Sequence, residues 1–553
     1  MPENTPNVFY VTTPIYYVND KPHIGHVYTT TIADVLARYH RLRGDDVFFL
    51  TGTDEHATKV VDAAAERGLT TQQWADQNAH AFEDTFNRLG MTHDDFIRTS
   101  QQRHKDKVSE YVTALLASGD VYLGDYVGWY DAGQEEYVSG KKAEECNFIS
   151  PVNKKPLVKK TEKNYFFRLS AYREQLLTLL EQGGEVDGQA FDVQPAARKN
   201  EIVERVRTME DVPISRTGMT DWGIAVPGDD EHTIYVWIDA LFNYLTTVDS
   251  DDRRHYWQSG ALHLIAKDIL WFHAAIWPAL LLALRKNESY SWVNLPALIY
   301  SHSFWISEGT KMSKSLGNFI DLEKIDHYVE TFGLDALKYF LATQGPMGTT
   351  DSDFAEQKFI ETYNADLANT FGNSCSRVTN MIGKYFEGVC PAAGPEEFNR
   401  GGTEGAEEAP AGWAGKTDRY RLESRAGFES LGLQGSSDAA RRLVGEVDLY
   451  IEQTAPFKLA KDPENLPVVG TILYDCLEAL RIASVLLWPF IPDRCEAFWG
   501  RIGFEHYAEA LKDSGKGDLD AWVRWGADSG GLKPGTPIEK GDALFPRYQP
   551  PKA

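Results

Sequence analysis

The sequence contains few cysteines, and none of them pair at the spacing of a metal site. The five are scattered along 553 residues, with no Cys-x-x-Cys pair, at Cys146, Cys375, Cys390, Cys476 and Cys495. Isolated cysteines in a chain of this length favour reduced thiols over a disulfide framework. A zinc site built from thiolates is therefore not expected, so we predict no bound structural metal.

Long hydrophobic runs are also missing. Residues 1–9 have neither the basic nor the apolar part of a signal peptide. The most apolar stretch, 269–284, is interrupted by His273 and Pro278 and is shorter than the roughly 20 residues of a membrane span. We expect a buried helix in this stretch, no membrane partner, and a cytoplasmic protein.

Basic residues are outnumbered by acidic ones. The chain has 56 Lys and Arg against 81 Asp and Glu, a formal net charge of −25. This balance argues against a general nucleic-acid binder, which is usually basic, but it allows a local basic face on an acidic body. A salt-adapted or very soluble protein would show the same charge. The length corresponds to about three or four domains.

Two short apolar segments near the N-terminus enclose a helical pattern. Residues 7–12 and 46–51 are typical of buried strands, and apolar residues between them recur at helical spacing. A strand, a helix and a strand in this order predict a βαβ unit in a parallel sheet. Ligands bind such sheets at the carboxyl ends of the strands, where the polar segments 12–26 and 51–56 lie.

The rest of the chain divides into an inserted β-rich part and a helical part. Residues 121–167 show short alternating runs rich in Gly, Tyr and Lys, which predict a small β-rich module. Strands and helices alternate again from Thr233, and beyond Asp353 nearly every periodic segment is helical. The stretch 392–415, rich in Gly, Ala, Pro and Glu, is typical of an exposed loop.

The motif His23-Ile24-Gly25-His26 follows a strand and a turn and opens a helix. Backbone N–H groups and the positive end of the helix dipole favour phosphate there. Gly25 permits close approach of a base or sugar, and the two histidines can donate hydrogen bonds to phosphate oxygens. Taken alone, the motif also fits two histidines that cap a helix by chance.

A second motif, Lys311-Met312-Ser313-Lys314-Ser315, follows the apolar stretch 298–306. A loop with two lysines and small hydroxyl residues can close over a triphosphate, with lysine neutralising the departing pyrophosphate. As an isolated pentapeptide it is typical of a solvated loop. The two motifs in this order, separated by a half-domain, indicate a nucleotide site.

Together the motifs resemble the signature of class I aminoacyl-tRNA synthetases. The resemblance implies a Rossmann-like domain that uses ATP with Mg²⁺ to form an aminoacyl-adenylate, without a covalent enzyme intermediate. It implies ATP binding by His23, Gly25, His26, Asp268, Lys311 and Lys314, and a catalytic set of His23, His26, Lys311, Lys314 and Arg216. Asp268 could equally cap a helix.

The segments 12–19, 51–56, 235–241 and 271–273 are similar to the methionine enzymes of bacterial type. That similarity implies that Asp54 binds the α-ammonium group. It also implies that the side-chain pocket consists of Ile15, Tyr17, Val236, Trp237, Ala240, Leu241, Tyr244 and His273. Aromatic and aliphatic walls suit a thioether, although aromatics beside a parallel sheet often belong to the core. The chain has no room for the large editing insertion of the isoleucine, valine and leucine enzymes.

The inserted part departs from the pattern of many methionine enzymes. Residues 128–137 lack the cysteines of a zinc knuckle, and Cys146 stands alone. The chain resembles the zinc-free subgroup, so no structural zinc is expected. Lysines at 154, 155, 159, 160 and 163 could face a tRNA acceptor end or form an ordinary solvated surface.

The helical region resembles an anticodon-binding bundle. Asn373 and Arg377 lie one helical turn apart, and such a pair can bond unstacked bases. Phe457 stands where the family usually has Trp, and it can stack on a base or belong to the core. The expected partners are the initiator and elongator methionine tRNAs. Because the chain ends near Phe545 without an appended tRNA-binding fold, we expect a monomer.

The predicted architecture is an α/β Rossmann-like catalytic domain with an inserted small β-rich connective module, followed by an all-α anticodon-binding helical bundle. The expected boundaries are 1–118 and 226–320 for the catalytic halves, 119–225 for the connective module and return, 321–355 for a stem-contact linker, and 356–553 for the bundle. Three alternatives stay open: another class I synthetase, a small-molecule nucleotidyltransferase, and a catalytically silent tRNA-binding protein.

Overall fold

The computed structural model describes residues 7–133, 136–138, 140–182, 185–186, 188–217, 222–312, 318–394 and 412–549. Along these ranges, alternating strands and helices give way to helices alone. No helix in the described ranges combines the length and the apolar character that crossing a membrane requires.

The strands and helices have the following bounds. The strands are β1 Val8–Thr12, β2 Tyr16–Tyr17, β3 Asp46–Asp54, β4 Asp95–Arg98, β5 Val121–Asp131, β6 Glu136–Val138, β7 Val158–Phe167, β8 Glu185–Val186, β9 Gln189–Ala190, β10 Asp192–Gln194, β11 Val212–Pro213, β12 Ser215–Thr217, β13 Ala225–Val226, β14 Asp229–Ile234, β15 Ala261–Ala266, β16 Leu298–His302, β17 Trp305–Ser307, β18 Thr310–Lys311 and β19 Ser352–Asp353. The helices are α1 Ile24–Leu42, α2 Thr58–Glu66, α3 Thr71–Arg88, α4 Gln102–Ala117, α5 Gly140–Glu145, α6 Arg173–Gln182, α7 Ala196–Arg207, α8 Val236–Thr246, α9 Arg254–Gln258, α10 Trp277–Leu284, α11 Leu322–Phe332, α12 Leu334–Gln344, α13 Glu356–Thr362, α14 Asn373–Tyr385, α15 Trp413–Glu429, α16 Leu433–Thr454, α17 Pro456–Leu459, α18 Leu466–Leu487, α19 Pro492–Arg501, α20 Glu505–Ser514 and α21 Leu519–Trp522.

A parallel sheet forms the centre of the N-terminal part. Its order is β10-β16-β15-β1-β3-β2, with β4 also paired to β3, and its strand pairs are parallel. Parallel strands bring their carboxyl ends to one edge of the sheet. The segments that follow β1, β3 and β15 therefore lie side by side, and they carry the polar motifs of the sequence.

Smaller antiparallel sheets accompany the central one. The sheet β11-β7-β5-β6 is built on β5 and β7, which pair in register from Val121 opposite Phe167 to Tyr130 opposite Val158. A second sheet, β12-β14-β13, leads directly into α8. The β-rich module that the alternating runs predict is therefore present as an antiparallel insertion.

The two faces of the parallel sheet have separate cores. One core packs α4, α8 and α10 against the sheet. The other begins with α1 and α12 and continues into the helical part, as far as Leu544 and Phe545. At this junction the ring of Tyr39 stacks on Phe428 at 3.8 Å between ring centres. Apolar packing is thus continuous between the sheet and the helices that follow it.

A buried ion pair fixes the end of the chain to the helical part. Glu478 and Arg481, one turn apart on α18, are both inaccessible to solvent and lie 2.7 Å apart. The Arg481 guanidinium donates to the Trp522 carbonyl, and Glu478 accepts hydrogen bonds from the Gly526 and Leu532 amides. The pair therefore anchors the segment from α21 to residue 532.

The structure agrees with the predicted α/β architecture and its all-helical C-terminal region, with local differences. The apolar stretch 269–284 is not one regular helix, because a 3₁₀ turn and a π-helical turn at Phe272–Ile276 precede α10. The predicted loop 392–415 ends earlier than expected, since α15 begins at Trp413. Residues 395–411 lie outside the described ranges.

Candidate active site

A cavity of about 660 Å³ opens at the carboxyl edge of the parallel sheet. It collects side chains from the segments after β1 and β3, from the start of α1, and from α8 and the turns after β15. The residues predicted from the sequence that line it are Ile15, Tyr17, His23, Gly25, His26, Asp54, Trp237, Ala240, Leu241, Tyr244, Asp268 and His273. Residues from both predicted ligand sites therefore share one space.

His23 and His26 form a capping box at the start of α1. The Nδ1 atom of His23 accepts a hydrogen bond from the Gly25 amide at 3.1 Å, and the Nδ1 atom of His26 accepts one from the His23 amide at 3.2 Å. Because both Nδ1 atoms accept, each neutral ring carries its proton on Nε2. The helix start thus fixes which ring nitrogen of each histidine is a donor.

The surroundings of His26 keep its ring neutral. The side chain is half-buried, with Tyr16 and Phe82 at ring-centre distances of 4.7 and 5.1 Å. Burial lowers the pKa of the His26 ring well below its usual value, and the neighbouring His23 lowers it further. The ring therefore acts as a hydrogen-bond donor, not as a resident cation.

Gly25 stands where a side chain would crowd the capping histidine. A Cβ atom at this position would lie 3.0 Å from Cε1 and 3.2 Å from Nδ1 of His23. The absence of a side chain leaves the His23 ring over the helix start and keeps the backbone open to the cavity. The close approach of a base or sugar to Gly25 stays a prediction.

Aromatic rings form the wall at the other end of the cavity. Trp237 stacks on Phe272 with ring centres 4.0 Å apart, and Tyr17 meets Trp237 edge-on at 5.9 Å. Ala240 and Leu241, one turn further along α8, continue the same apolar surface. Such a wall suits an uncharged, polarisable side chain.

The polar groups of this wall are neutral. The His273 Nδ1–H donates to the Ile269 carbonyl at 3.0 Å, so its Nε2 accepts from the Tyr244 hydroxyl at 2.8 Å. Burial lowers the pKa of His273 to about 4, against the opposing effect of the Ile269 carbonyl, and burial raises the pKa of Tyr244 above its usual value. The wall therefore has hydrogen-bonding groups but no net charge near neutral pH.

Asp54 brings a carboxylate to the boundary of this wall. It is the last residue of β3, is 2% exposed, and pairs in register with Tyr17 of β2. The strand end therefore directs it into the cavity beside the aromatic residues. A buried carboxylate in this place suits a cationic group of a ligand.

A buried carboxylate behind the cavity joins two of its walls. Asp239, on α8, accepts hydrogen bonds from His56 Nδ1 at 2.6 Å and His104 Nε2 at 2.7 Å. Burial raises the pKa of Asp239, but the two histidines outweigh it and hold the pKa well below its usual range. Because His56 lies two residues after Asp54, this contact fixes the spacing between Asp54 and the aromatic residues of α8.

Asp268 lies at the rim of the cavity and is exposed. It sits inside a 3₁₀ turn at Lys267–Ile269 whose N-cap residue is Ala266, so the alternative that Asp268 is itself the helix N-cap is wrong. Nearby Phe304, 36% exposed, lines the same rim, and Lys267 lies 4.8 Å from the centre of its ring.

Four predicted residues are not among those that line the cavity. Val236 and Arg216 line a separate space of about 20 Å³. The Arg216 guanidinium stacks on Tyr235, and it donates to the Tyr130 hydroxyl at 2.6 Å. Lys311 is exposed in β18, and Lys314 lies outside the described residues.

The residues predicted to contact an anticodon are on the surface of the helical part. Asn373 is exposed at the start of α14, and Arg377 on the same helix lies 3.9 Å from Asp448. Phe457 is 41% exposed on α17, so the alternative of a plain core phenylalanine does not describe it. The three side chains are accessible to a partner.

Several cavity residues are absent from the set of site residues that the sequence predicts. They are Tyr16, Asn19, Asp20, Lys21, Lys59, Phe272, Phe304 and Phe319. Some of them lie within or directly beside the quoted motifs, so their position next to a motif could have identified them as cavity residues. Phe304 belongs to the connection between β16 and β17, and no motif marks it.

Within the described ranges, no group of three or more His, Cys, Asp or Glu side chains is placed to hold a metal ion. Cys146 is half-buried, and its thiol donates to the Ala143 carbonyl at 3.4 Å.

Known proteins resemble this chain over nearly its whole length. The family model described as tRNA synthetases class I (M) matches residues 9–153 and 140–379. The methionine–tRNA ligase of Streptomyces coelicolor is 40% identical over 98% of this chain and 97% of its own length, and that of Bacillus subtilis is 36% identical over 99% and 79%. The solved structure of Mycobacterium tuberculosis methionyl-tRNA synthetase in complex with methionyl-adenylate matches with a TM-score of 0.83 and 32% identity, covering 98% of this chain and 99% of that chain.

Proposed function

This chain belongs to the methionine–tRNA ligases of the class I tRNA synthetase family, and we propose that the cavity of about 660 Å³ is where it forms methionyl-adenylate. The enzyme activates L-methionine with ATP, releases pyrophosphate, and transfers the methionine to its tRNA. One observation carries the assignment of the site: a neutral aromatic wall, a buried carboxylate and two helix-capping histidines face the same space.

We assign the methionine side chain to the aromatic end of the cavity. The thioether packs against Tyr17 and Trp237, with Ile15, Ala240 and Leu241 as aliphatic neighbours. Tyr244 and His273 form the neutral polar end, and Val236 supports the wall from behind. Asp54 binds the α-ammonium group, which leaves the carboxylate of methionine directed toward the start of α1.

We assign ATP to the space between α1 and the rim at Asp268. The Nε2–H groups of His23 and His26 donate to phosphate oxygens, Gly25 admits the nucleotide to the backbone, and Asp268 binds the ribose. The methionine carboxylate attacks the α-phosphorus, and pyrophosphate leaves as the new P–O bond forms. ATP enters as its Mg²⁺ complex, and the protein contributes positioning and charge neutralisation.

The remaining members of the proposed catalytic set act around this space. Lys311 and Lys314 neutralise the departing pyrophosphate. The ends of their loop are held by Asn318, whose side-chain amide donates to the Ser307 carbonyl at 3.3 Å and the Lys311 carbonyl at 3.2 Å. Arg216 acts as a positioning residue, because it stacks on Tyr235, the N-cap residue of α8.

For the transfer step we propose a second contact with tRNA in the helical part. Asn373 and Arg377 form hydrogen bonds to anticodon bases. Phe457 provides a surface on which a base can stack, without the N–H donor of the tryptophan that the family usually has at this position. The proposed working units are 1–118, 119–225, 226–320, 321–355 and 356–553. We further propose that the enzyme serves initiator and elongator methionine tRNAs as a monomer in the cytoplasm, without a structural zinc.

Amino-acid-dependent ATP–pyrophosphate exchange tests the proposed site. We expect exchange with methionine and little with isoleucine or cysteine.

Tyr17→Ala removes one aromatic wall, so the KM for methionine should rise about 10- to 100-fold, whereas Tyr17→Phe keeps the ring and should stay close to wild type. Lys314→Ala should strongly lower the rate of methionine-dependent ATP–pyrophosphate exchange. If Tyr17→Ala selected methionine as well as the wild type does, the aromatic end of the cavity would not be where the methionine side chain binds.

Asp54→Asn tests the placement of the ammonium group. The variant removes a buried charge that a cation requires, so the KM for methionine should rise by about 100-fold or more. Asp268→Asn is the matched control, because it removes the same charge at the nucleotide rim and should raise the KM for ATP instead. If both variants change the same KM, the proposed orientation of the two substrates is wrong.

A further inference from the structure

A second cavity, of about 380 Å³, lies at the far end of α1. It is formed by the end of that helix, by α15, and by the connection between α20 and α21. Since α1 has 19 residues, this end is about 28 Å from the capping histidines. The cavity is therefore separate from the proposed catalytic site, and its assignment does not depend on the proposed function.

The charge of this cavity is opposite to that of the protein. Four cations line it, Arg43, Arg421, Arg425 and Lys516, against the two carboxylates Asp45 and Asp520. In the whole chain, acidic residues outnumber basic ones by 81 to 56. Three of these cations already have ion pairs: Arg421 with Asp418, Arg425 with Glu429, and Arg43 with Asp45 at 3.7 Å. The charge left over for an anion is therefore mainly that of Lys516.

Both carboxylates in the lining already have a basic partner in the protein. Asp45 is 4% exposed and accepts a hydrogen bond from His40 at 2.6 Å. Asp520 is largely exposed and lies 3.3 Å from Arg421. Lys516 is half-buried and forms no ion pair with any residue in the described part of the chain. The lysine ammonium group is thus the cation in the lining that most needs a counter-ion.

Tyr39 adds an uncharged donor to the same lining. It is 2% exposed, and its ring is held by stacking on Phe428 at 3.8 Å with an interplanar angle of 8°. Its buried hydroxyl has no partner at hydrogen-bonding geometry within the described ranges. A buried hydroxyl without a partner costs free energy unless a ligand or water satisfies it. Burial raises the pKa of Tyr39 and outweighs the opposing effect of the nearby Arg43 guanidinium, so the hydroxyl keeps its proton.

We propose that this cavity is a binding site for a small polyanion of the phosphate class. Lys516 supplies the unpaired charge, Arg43 and Arg425 add N–H donors while keeping their carboxylate partners, and the Tyr39 hydroxyl supplies a fixed donor. The volume accommodates a short polyphosphate chain, and guanidinium groups are suited to its oxygen atoms. A ligand here would contact the same helix whose opposite end carries His23 and His26.

Isothermal titration with inorganic tripolyphosphate tests this site on the full-length enzyme. A non-reactive methionyl-adenylate analogue first saturates the methionine and nucleotide parts of the catalytic cavity. The titrations use Lys314→Ala as the background, so that the pyrophosphate end of that cavity is weakened as well. We expect binding to one site. Lys516→Gln and Tyr39→Phe should each weaken it about tenfold, since each removes one hydrogen bond to a charged ligand. Tyr39→Phe keeps the ring that stacks on Phe428, so its fold is preserved.

Lys540→Gln is the matched control, because it removes the same charge from an exposed lysine that does not line the cavity. It should bind tripolyphosphate like the Lys314→Ala background alone, and ATP–pyrophosphate exchange, measured with Lys314 intact, should be unchanged in all three variants. Equal affinities of Lys516→Gln and Lys540→Gln would overturn the proposal, as would the absence of binding once the catalytic cavity is filled. Weaker tRNA binding with unchanged tripolyphosphate binding would also overturn it, in favour of a nucleic-acid surface.

Discussion

Replacing His26 with asparagine should lower methionine-dependent ATP–pyrophosphate exchange by about 100- to 1000-fold, the usual effect of removing one donor to a developing oxyanion. The amide oxygen of asparagine can occupy the position of Nδ1 and continue to accept from the His23 amide. The variant therefore keeps the helix cap and loses only the Nε2–H donor. The KM for methionine should remain near the wild-type value, since Asp54 and the aromatic wall are untouched.

His26→Gln makes the opposite change and serves as the matched comparison. Its longer amide places a donor near the position of Nε2 but loses the acceptor that caps the helix. We expect His26→Gln to retain more exchange activity than His26→Asn and to be less stable to heat. If His26→Gln were the less active of the two, helix capping, not donation to phosphate, would be the main role of His26.

Replacing Arg481 with methionine should produce the largest loss of stability among the substitutions considered. The change leaves Glu478 as a buried carboxylate without its cation, which typically costs about 3–5 kcal/mol. For a helical region of this size the midpoint of thermal unfolding should fall by about 10 °C. Limited proteolysis should then cut first between α21 and residue 532, the segment that Glu478 and Arg481 hold.

Arg442→Met provides the comparison for this prediction. Arg442 pairs with Glu423 at 2.5 Å, but both side chains are more than a third exposed. Exposed pairs contribute at most about 1 kcal/mol, so the midpoint should barely move. A similarly small shift for Arg481→Met would mean that the buried pair does not anchor the end of the chain.

The sequence was most informative where side chains follow directly from a strand or a helix start. Asp54 ends a strand and His23 precedes a helix, so their positions relative to the sheet edge depend on local structure alone. The parallel sheet, the β-rich insertion and the helical C-terminal region were predicted from the periodicity of apolar residues, whereas the antiparallel pairing of the insertion was not. The resemblance of the motifs to a known family added the prediction of which side chains line the same pocket.

Contacts between distant segments were not predictable in this way. Asp239 meets His56 and His104 across 183 and 135 residues, and neither histidine is marked by a spacing that reveals the contact. Phe304 reaches the cavity only because the connection after β16 turns toward it. The Tyr39 hydroxyl, which has no hydrogen-bond partner among the described residues, lies where three separate elements meet, and no single segment indicates that meeting.

The continuous core between the sheet and the helical part limits how the enzyme can adapt to its tRNA. Opening the junction at Tyr39 and Phe428 would expose apolar surface, and each Å² exposed costs about 25 cal/mol. The distance between the proposed adenylate cavity and the proposed anticodon residues is therefore set by the protein. A tRNA whose distance from acceptor end to anticodon does not match this spacing would meet only one of them.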